Sequence, residues 1–206
     1  GGVLKNGAVA ANASTKRGGS IYAAGNSKVV LNGGVIEGGT APECGGNIYA
    51  TGTASITING CTIYSGSSKS GGNIYMDTGT TLTIGKNALI KHGSASTGGN
   101  IALVGATATM TGGAISYGQT TDTNSNGSGG NIHIDVNSSF TMEDGVISDG
   151  YTSASNYGGN ISNYGTFTMP GGKLVRGDAG SAGSNLCNRG KVTIEGGFVG
   201  SAAKGG

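Results

Sequence analysis

Gly-Gly-Asn-Ile occurs five times in this chain, at 45–48, 71–74, 98–101, 129–132 and 158–161. Successive starts lie 26, 27, 31 and 29 residues apart. Degenerate copies at 18–21 and 182–186 flank the five. A unit this short cannot bury a core of its own, so each repeat must stack on its neighbours, and a period in this range marks a solenoid. The repeats leave room for one domain over residues 1–206.

The stretch 71–97 gives the grammar of one coil. Asn73-Ile74-Tyr75-Met76-Asp77 alternates, so Ile74 and Met76 face one side and Tyr75 and Asp77 the other. A turn at 78–80 leads into Thr81-Leu82-Thr83-Ile84, with Leu82 and Ile84 inward, and a second turn at 85–87 leads into Ala88-Leu89-Ile90-Lys91. Second strands recur at 28–31, 55–58, 107–110, 139–142, 166–169 and 191–194. In third strands, Leu4, Ile36, Ile63, Ile90, Ile115, Ile147 and Leu174 each stand three places before a Gly. The expected fold is all-β: a right-handed parallel β-helix (β-solenoid) of about seven to eight coils, with three short strands per coil forming three parallel sheets.

Composition excludes the main alternatives. Gly makes up 45 of 206 residues, about three times the usual share of roughly 7%. There is no period of three and Pro occurs twice, which excludes collagen, while β-branched residues in phase exclude a disordered chain. The twelve Lys and Arg are scattered, so no basic stripe for nucleic acid forms. No apolar run is long enough to span a bilayer as a helix. Cys44, Cys61 and Cys187 lack metal-ligand spacing and read as small, partly buried thiols; no metal or cofactor is expected.

Asn47, Asn73, Asn100, Asn131, Asn160 and Asn185 hold one position in six consecutive coils. An amide both donates and accepts, so stacked copies form a structural ladder that also satisfies the backbone at the bend. Gly-Gly-Asn-Ile followed by Leu-Thr-Ile and Gly-Gly-x-Ile phrases resembles the right-handed parallel β-helix repeats of adhesin-like proteins of the bacterial surface. The repeats of chlamydial polymorphic membrane proteins and of large surface proteins of gut Firmicutes are similar. The resemblance implies a secreted or surface-displayed, non-enzymatic protein serving adhesion or passive length.

Sites of chemistry are few. Asp77 and Asp135 share a coil position with Val104 between them, which puts them about 9 to 10 Å apart by strand spacing. They read as solvated surface carboxylates, and His92 and His133 as isolated surface residues. Neither P-loop, nucleophile elbow nor calcium loop occurs. Three surfaces remain as binding faces. Thr57, Thr83, Thr109, Thr141, Thr168 and Thr193, beside Ser55, Thr81, Thr107, Ser139 and Thr166, make a T-x-T array that resembles ice-binding solenoids, though Thr also simply suits an exposed strand face and Lys28, Val30 and Lys191 interrupt the ends. Tyr22, Tyr49 and Tyr75 stack outward on the first sheet, read first as aromatics that stabilise the sheet and second as a platform for a glycan or another filament. Connections at 8–17, 119–128 and 151–157 are the long ones, so insertions gather on one edge.

The chain begins in mid-coil at Gly1-Gly2-Val3-Leu4 and stops at Gly205-Gly206, with a bare coil expected at each end. Either the stretch is a segment of a larger surface adhesin, or other copies cover its ends by head-to-tail association into a fibre, with host or cell-surface glycans or proteins as further partners.

Overall fold

The computed structural model describes residues 1–122, 128–153 and 155–200, so Gly205-Gly206 and part of the 119–128 connection lie outside the described residues. Every paired strand runs parallel to its neighbours. No helix forms among the described residues, and none is long and apolar enough to cross a membrane. The chain winds as a β-solenoid of about six turns. Seven strands make the first face, from Ile21–Ala23 through Ile74–Met76 to Leu186–Asn188.

Each apolar phrase of the sequence becomes a column. Ile21, Ile48, Ile74, Ile101, Ile132, Ile161 and Leu186 stand in register on the first face. Leu4, Ile36, Ile63, Ile90, Ile115, Ile147, Leu174 and Val199 do so on the third. In the middle rungs these side chains are wholly buried, each adding about 1.5–3 kcal/mol of burial. Phe140 stacks on Phe167 at 5.9 Å in the bore, above the small Ala108 of the next rung.

Two features depart from the expected three separate sheets. Thr107–Ser116 and Ser139–Ser148 run unbroken through the second and third positions, joining those faces into one 13-stranded sheet. Gly113 and Gly145, with φ of 80° and 103°, take up the bend, and the register shifts between Met110 and Ala114. In addition, the connections between the third strand and the next Gly pair carry ladders of their own. Ser94–Ala95, Gln119–Thr120, Tyr151–Thr152 and Asp178–Ala179 form a four-stranded sheet. Single bridges continue the pattern, linking Arg17, Cys44, Ser70, Thr97, Ser128, Tyr157 and Ala182 rung to rung. The largest differences in rung length fall between these two ladders, while the turn from the first strand to the second shortens from 51–54 to 164–165.

Candidate functional site

The Gly pair and the Asn that follows build one corner. Gly45, Gly71, Gly98, Gly129 and Gly158 all have left-handed φ of 59–72°. The Asn side chain then points inward. Asn47 Nδ2 donates to Asn73 Oδ1, Asn73 to Asn100, Asn100 to Asn131 and Asn131 to Asn160, each at 2.7 Å, and Asn160 to Asn185 at 2.9 Å. Each Oδ1 also accepts a backbone N–H from the facing corner, as Gly93 N gives to Asn100 at 2.9 Å. Each remaining N–H reaches a carbonyl, as Asn100 Nδ2 does at Ser116 O, 2.8 Å. All bonds point the same way along the axis, so the amides form one polarised chain. A shorter column escaped the sequence reading: Asn163 occupies an inward position of the first face and donates to Asn188 Oδ1 at 2.7 Å.

The Tyr column differs from its expected form. Tyr22, Tyr49 and Tyr75 do stack, with centroids 5.2 and 5.5 Å apart. Yet Tyr49 is 0% exposed and Tyr75 half-buried, while Tyr22 is 49% exposed. An outward platform of three rings is therefore incorrect. The ladder that precedes each Gly pair folds its side chains over the first face: Arg17 lies on the Tyr49 ring and donates to its hydroxyl at 2.9 Å. Tyr49 in turn donates to Asp77 Oδ2 at 2.7 Å. Asp77 thus closes an Arg–Tyr–Asp chain and is not a free surface carboxylate. Asp135 stands in the equivalent turn, two rungs on, where its Oδ1 accepts from Val136 N at 2.8 Å.

Beside this chain lies a hollow of about 540 Å³ lined by Glu43, Cys44, Lys69, Ser70, Tyr75, Ser96, Thr97 and Asp122. Burial is the main cause that pushes the Cys44 thiol up to about 11, with the charges of Glu43 and Asp77 adding to it against Arg17. Burial also raises the Tyr75 phenol, helped by the nearby acidic groups. Both groups keep their protons at neutral pH, so the hollow offers hydrogen-bonding groups and not a thiolate or phenolate nucleophile. The three cysteines are free.

The two histidines separate. His92 is exposed and stacks on Tyr117 at 5.0 Å. His133 is no isolated surface residue: it is half-buried, lies 3.0 Å from Ser128 Oγ through Nδ1 and tilts against Tyr164. Burial lowers the pKa of His133 against the pull of Asp135. Among the described residues, no group of three or more His, Cys, Asp or Glu is placed to share a metal ion.

On the second face, Thr57, Thr83, Thr109, Thr141, Thr168 and Thr193 stand in one register column. Ser55, Thr81, Thr107, Ser139 and Thr166 make the column beside it, and Ser139 Oγ donates to Thr107 Oγ1 at 3.3 Å. Val30 and Lys28 end the array on one side and Lys191 on the other. A corner absent from the sequence reading carries one left-handed residue per rung: Asn6, Gly38, Ser65, His92, Tyr117, Asp149 and Arg176. Each directly precedes the Gly that closes the third strand.

Comparison with family models, with curated proteins and with solved structures finds no match.

Proposed function

We propose that this chain is a non-enzymatic structural and adhesive rod displayed outside a bacterial cell, and that its rungs continue by stacking onto further rungs. The observation that carries this is the state of the core columns at the two ends. Leu4 is 47% exposed where Ile36 in the same column is 2%, and Val199 is 39% exposed where Leu174 is 0%. Ile194 is 51% exposed above a fully buried Met169. Among the described residues, the outermost rungs leave core side chains uncovered, and an outer parallel strand carries N–H and C=O groups able to pair with a further rung. Another set of rungs, from the same polypeptide or from a second copy, satisfies both. The extracellular setting rests on the resemblance to surface β-helix repeats. The corresponding test is sedimentation and negative-stain microscopy over a range of concentrations. Unbranched filaments that lengthen with concentration, and vanish with Val199→Lys, are expected. If the chain stays monomeric at high concentration, the fibre is lost and only a rod segment remains.

The Thr face favours a second reading. Its two registered hydroxyl columns repeat near 4.8 Å along the axis and about 7 Å across it, a lattice suited to ordered water or ice, which thermal hysteresis measures. Val30, Lys28 and Lys191 confine that lattice to the middle rungs.

A further inference from the structure

The left-handed corner is where this glycine-rich chain withholds glycine. φ there runs from 50° to 65° in all seven rungs, yet Gly38 is the one glycine. Left-handed backbone costs an L-residue roughly 1–2 kcal/mol, and a bulky side chain in that region is an outlier. Tyr117 and Arg176, with φ of 52° and 50°, are such outliers. The cost keeps a row of side chains projecting from a rigid edge, and strain of this kind concentrates where a surface has work to do.

Four neighbouring rungs show what the row holds. His92 stacks on Tyr117 with 12° between the rings. In the next two rungs, Arg176 Nε and Nη2 donate to Asp149 Oδ1 and Oδ2, both at 2.7 Å. This two-pronged pair fixes the planes of both groups. Tyr151 and Asp178 come from the adjoining short sheet, where they are register partners. Together with Tyr117, Asp149 and Arg176 they wall a hollow of about 280 Å³. Tyr117 is 52% exposed and Tyr151 48%. A second hollow, of about 560 Å³, opens on the other side of Arg176, past Lys173.

We propose that this corner binds a neutral oligosaccharide, its sugar rings against Tyr117 and Tyr151 and its adjacent hydroxyls on the Asp149–Arg176 pair. A pyranose has a flat face of C–H groups and a rim of hydroxyls. Exposed tyrosines supply flat apolar area with a polar tip. A locked guanidinium–carboxylate pair supplies donors and acceptors side by side. The smaller hollow carries Asp149 and Asp178 against Arg176, and Lys173 past it balances the charges, so the site offers an acidic polymer no net attraction. The hollow beyond Arg176 gives room for a chain of sugars. This proposal gives the adhesive part of the function a ligand. It rests on that reading only in expecting a surface partner; Tyr117, Tyr151, Asp149 and Arg176 lie outside the end rungs, although Phe198 of the last described strand lines the far side of the larger hollow.

The test is calorimetric titration of the chain with cellohexaose, xylohexaose and mannohexaose, with polygalacturonate as the acidic probe. Binding of at least one neutral hexaose is expected, with affinity falling about tenfold or more in Tyr151→Ala at unchanged thermal stability. Tyr117→Gly separates binding from folding: it relieves the left-handed strain, so the variant stays folded while affinity falls as much. Absence of binding to all three neutral sugars at millimolar concentration overturns the site, as does binding of polygalacturonate alone or binding that Tyr151→Ala leaves unchanged. Filament growth is read independently, so either proposal can fail without the other.

Discussion

Asn100 has every hydrogen-bonding capacity filled while 0% exposed. Its Oδ1 accepts from Gly93 N and Asn73 Nδ2, and its Nδ2 donates to Ser116 O and Asn131 Oδ1. No other side chain of similar volume offers two donors and two lone pairs in one plane. Asn100→Ala leaves Gly93 N without a partner and takes one bond each from Ser116 O, which keeps His92 N, from Asn73 Nδ2, which keeps Lys91 O, and from Asn131 Oδ1, which keeps Gly118 N. A buried group left unpaired costs about 1–3 kcal/mol, and water entering the gap recovers part of it. The expected loss is therefore about 3–5 kcal/mol, read from the urea midpoint, against a change within about 0.5 kcal/mol for the surface change Thr57→Ala. A loss under about 1 kcal/mol would mean that the corner holds without its amides. This column is visible in the sequence because one chemistry is required, so one residue type recurs. The left-handed corner is invisible for the opposite reason. There the conformation is imposed by the corner, and seven rungs fill it with six polar or aromatic side chains and one glycine.

At the scale of the element, each rung is held by backbone packed against backbone. Gly98 turns with φ of 59°, and Gly99 then lies so close to the next rung that a Cβ would run into the Gly130 carbonyl oxygen and the Gln119 amide nitrogen. Neither atom belongs to a flexible side chain that can swing away. Gly99→Ala must push the rung off its neighbour, at an expected cost of about 3 kcal/mol or more. Gly25→Ala serves as the comparison, because a Cβ there meets open space and its left-handed φ alone costs roughly 1–2 kcal/mol. Thermal melts followed by far-UV circular dichroism rank the two, and equal losses would show that the glycine pair is not a packing requirement. The strands themselves follow from alternation, which places Leu82 and Ile84 inward and Thr81 and Thr83 outward. Alternation says which side of a strand a residue occupies but not what covers that side. Tyr49 was for that reason unreadable as buried: its cover, Arg17, comes from a ladder of serines, a cysteine and other polar residues with no apolar period.

Over the whole molecule, every long-range pairing joins one rung to the next, so cooperativity passes along a single axis. Stability then falls from the middle outward, because a central rung has two neighbours and a terminal rung one. Burial follows the same gradient. Ile74–Met76, Ile101–Leu103 and Ile132–Ile134 are buried at their inward positions, while Val3–Lys5 is exposed along its length and Phe198–Gly200 nearly so. Local opening tracks buried apolar contact, so native-state hydrogen exchange is expected to show the strongest protection at 74–76, 101–103 and 132–134. Protection should weaken stepwise towards 3–5 and 198–200. In dilute solution, uniform protection would mean that the rungs open as one unit and that the nearest-neighbour description fails. At higher concentration the gradient carries separate information: protection gained at 3–5 and 198–200 alone, with the middle unchanged, is the signature of rungs meeting end to end. Protection gained at 117, 149–151 and 176 on adding a hexaose would instead place a ligand on the left-handed corner.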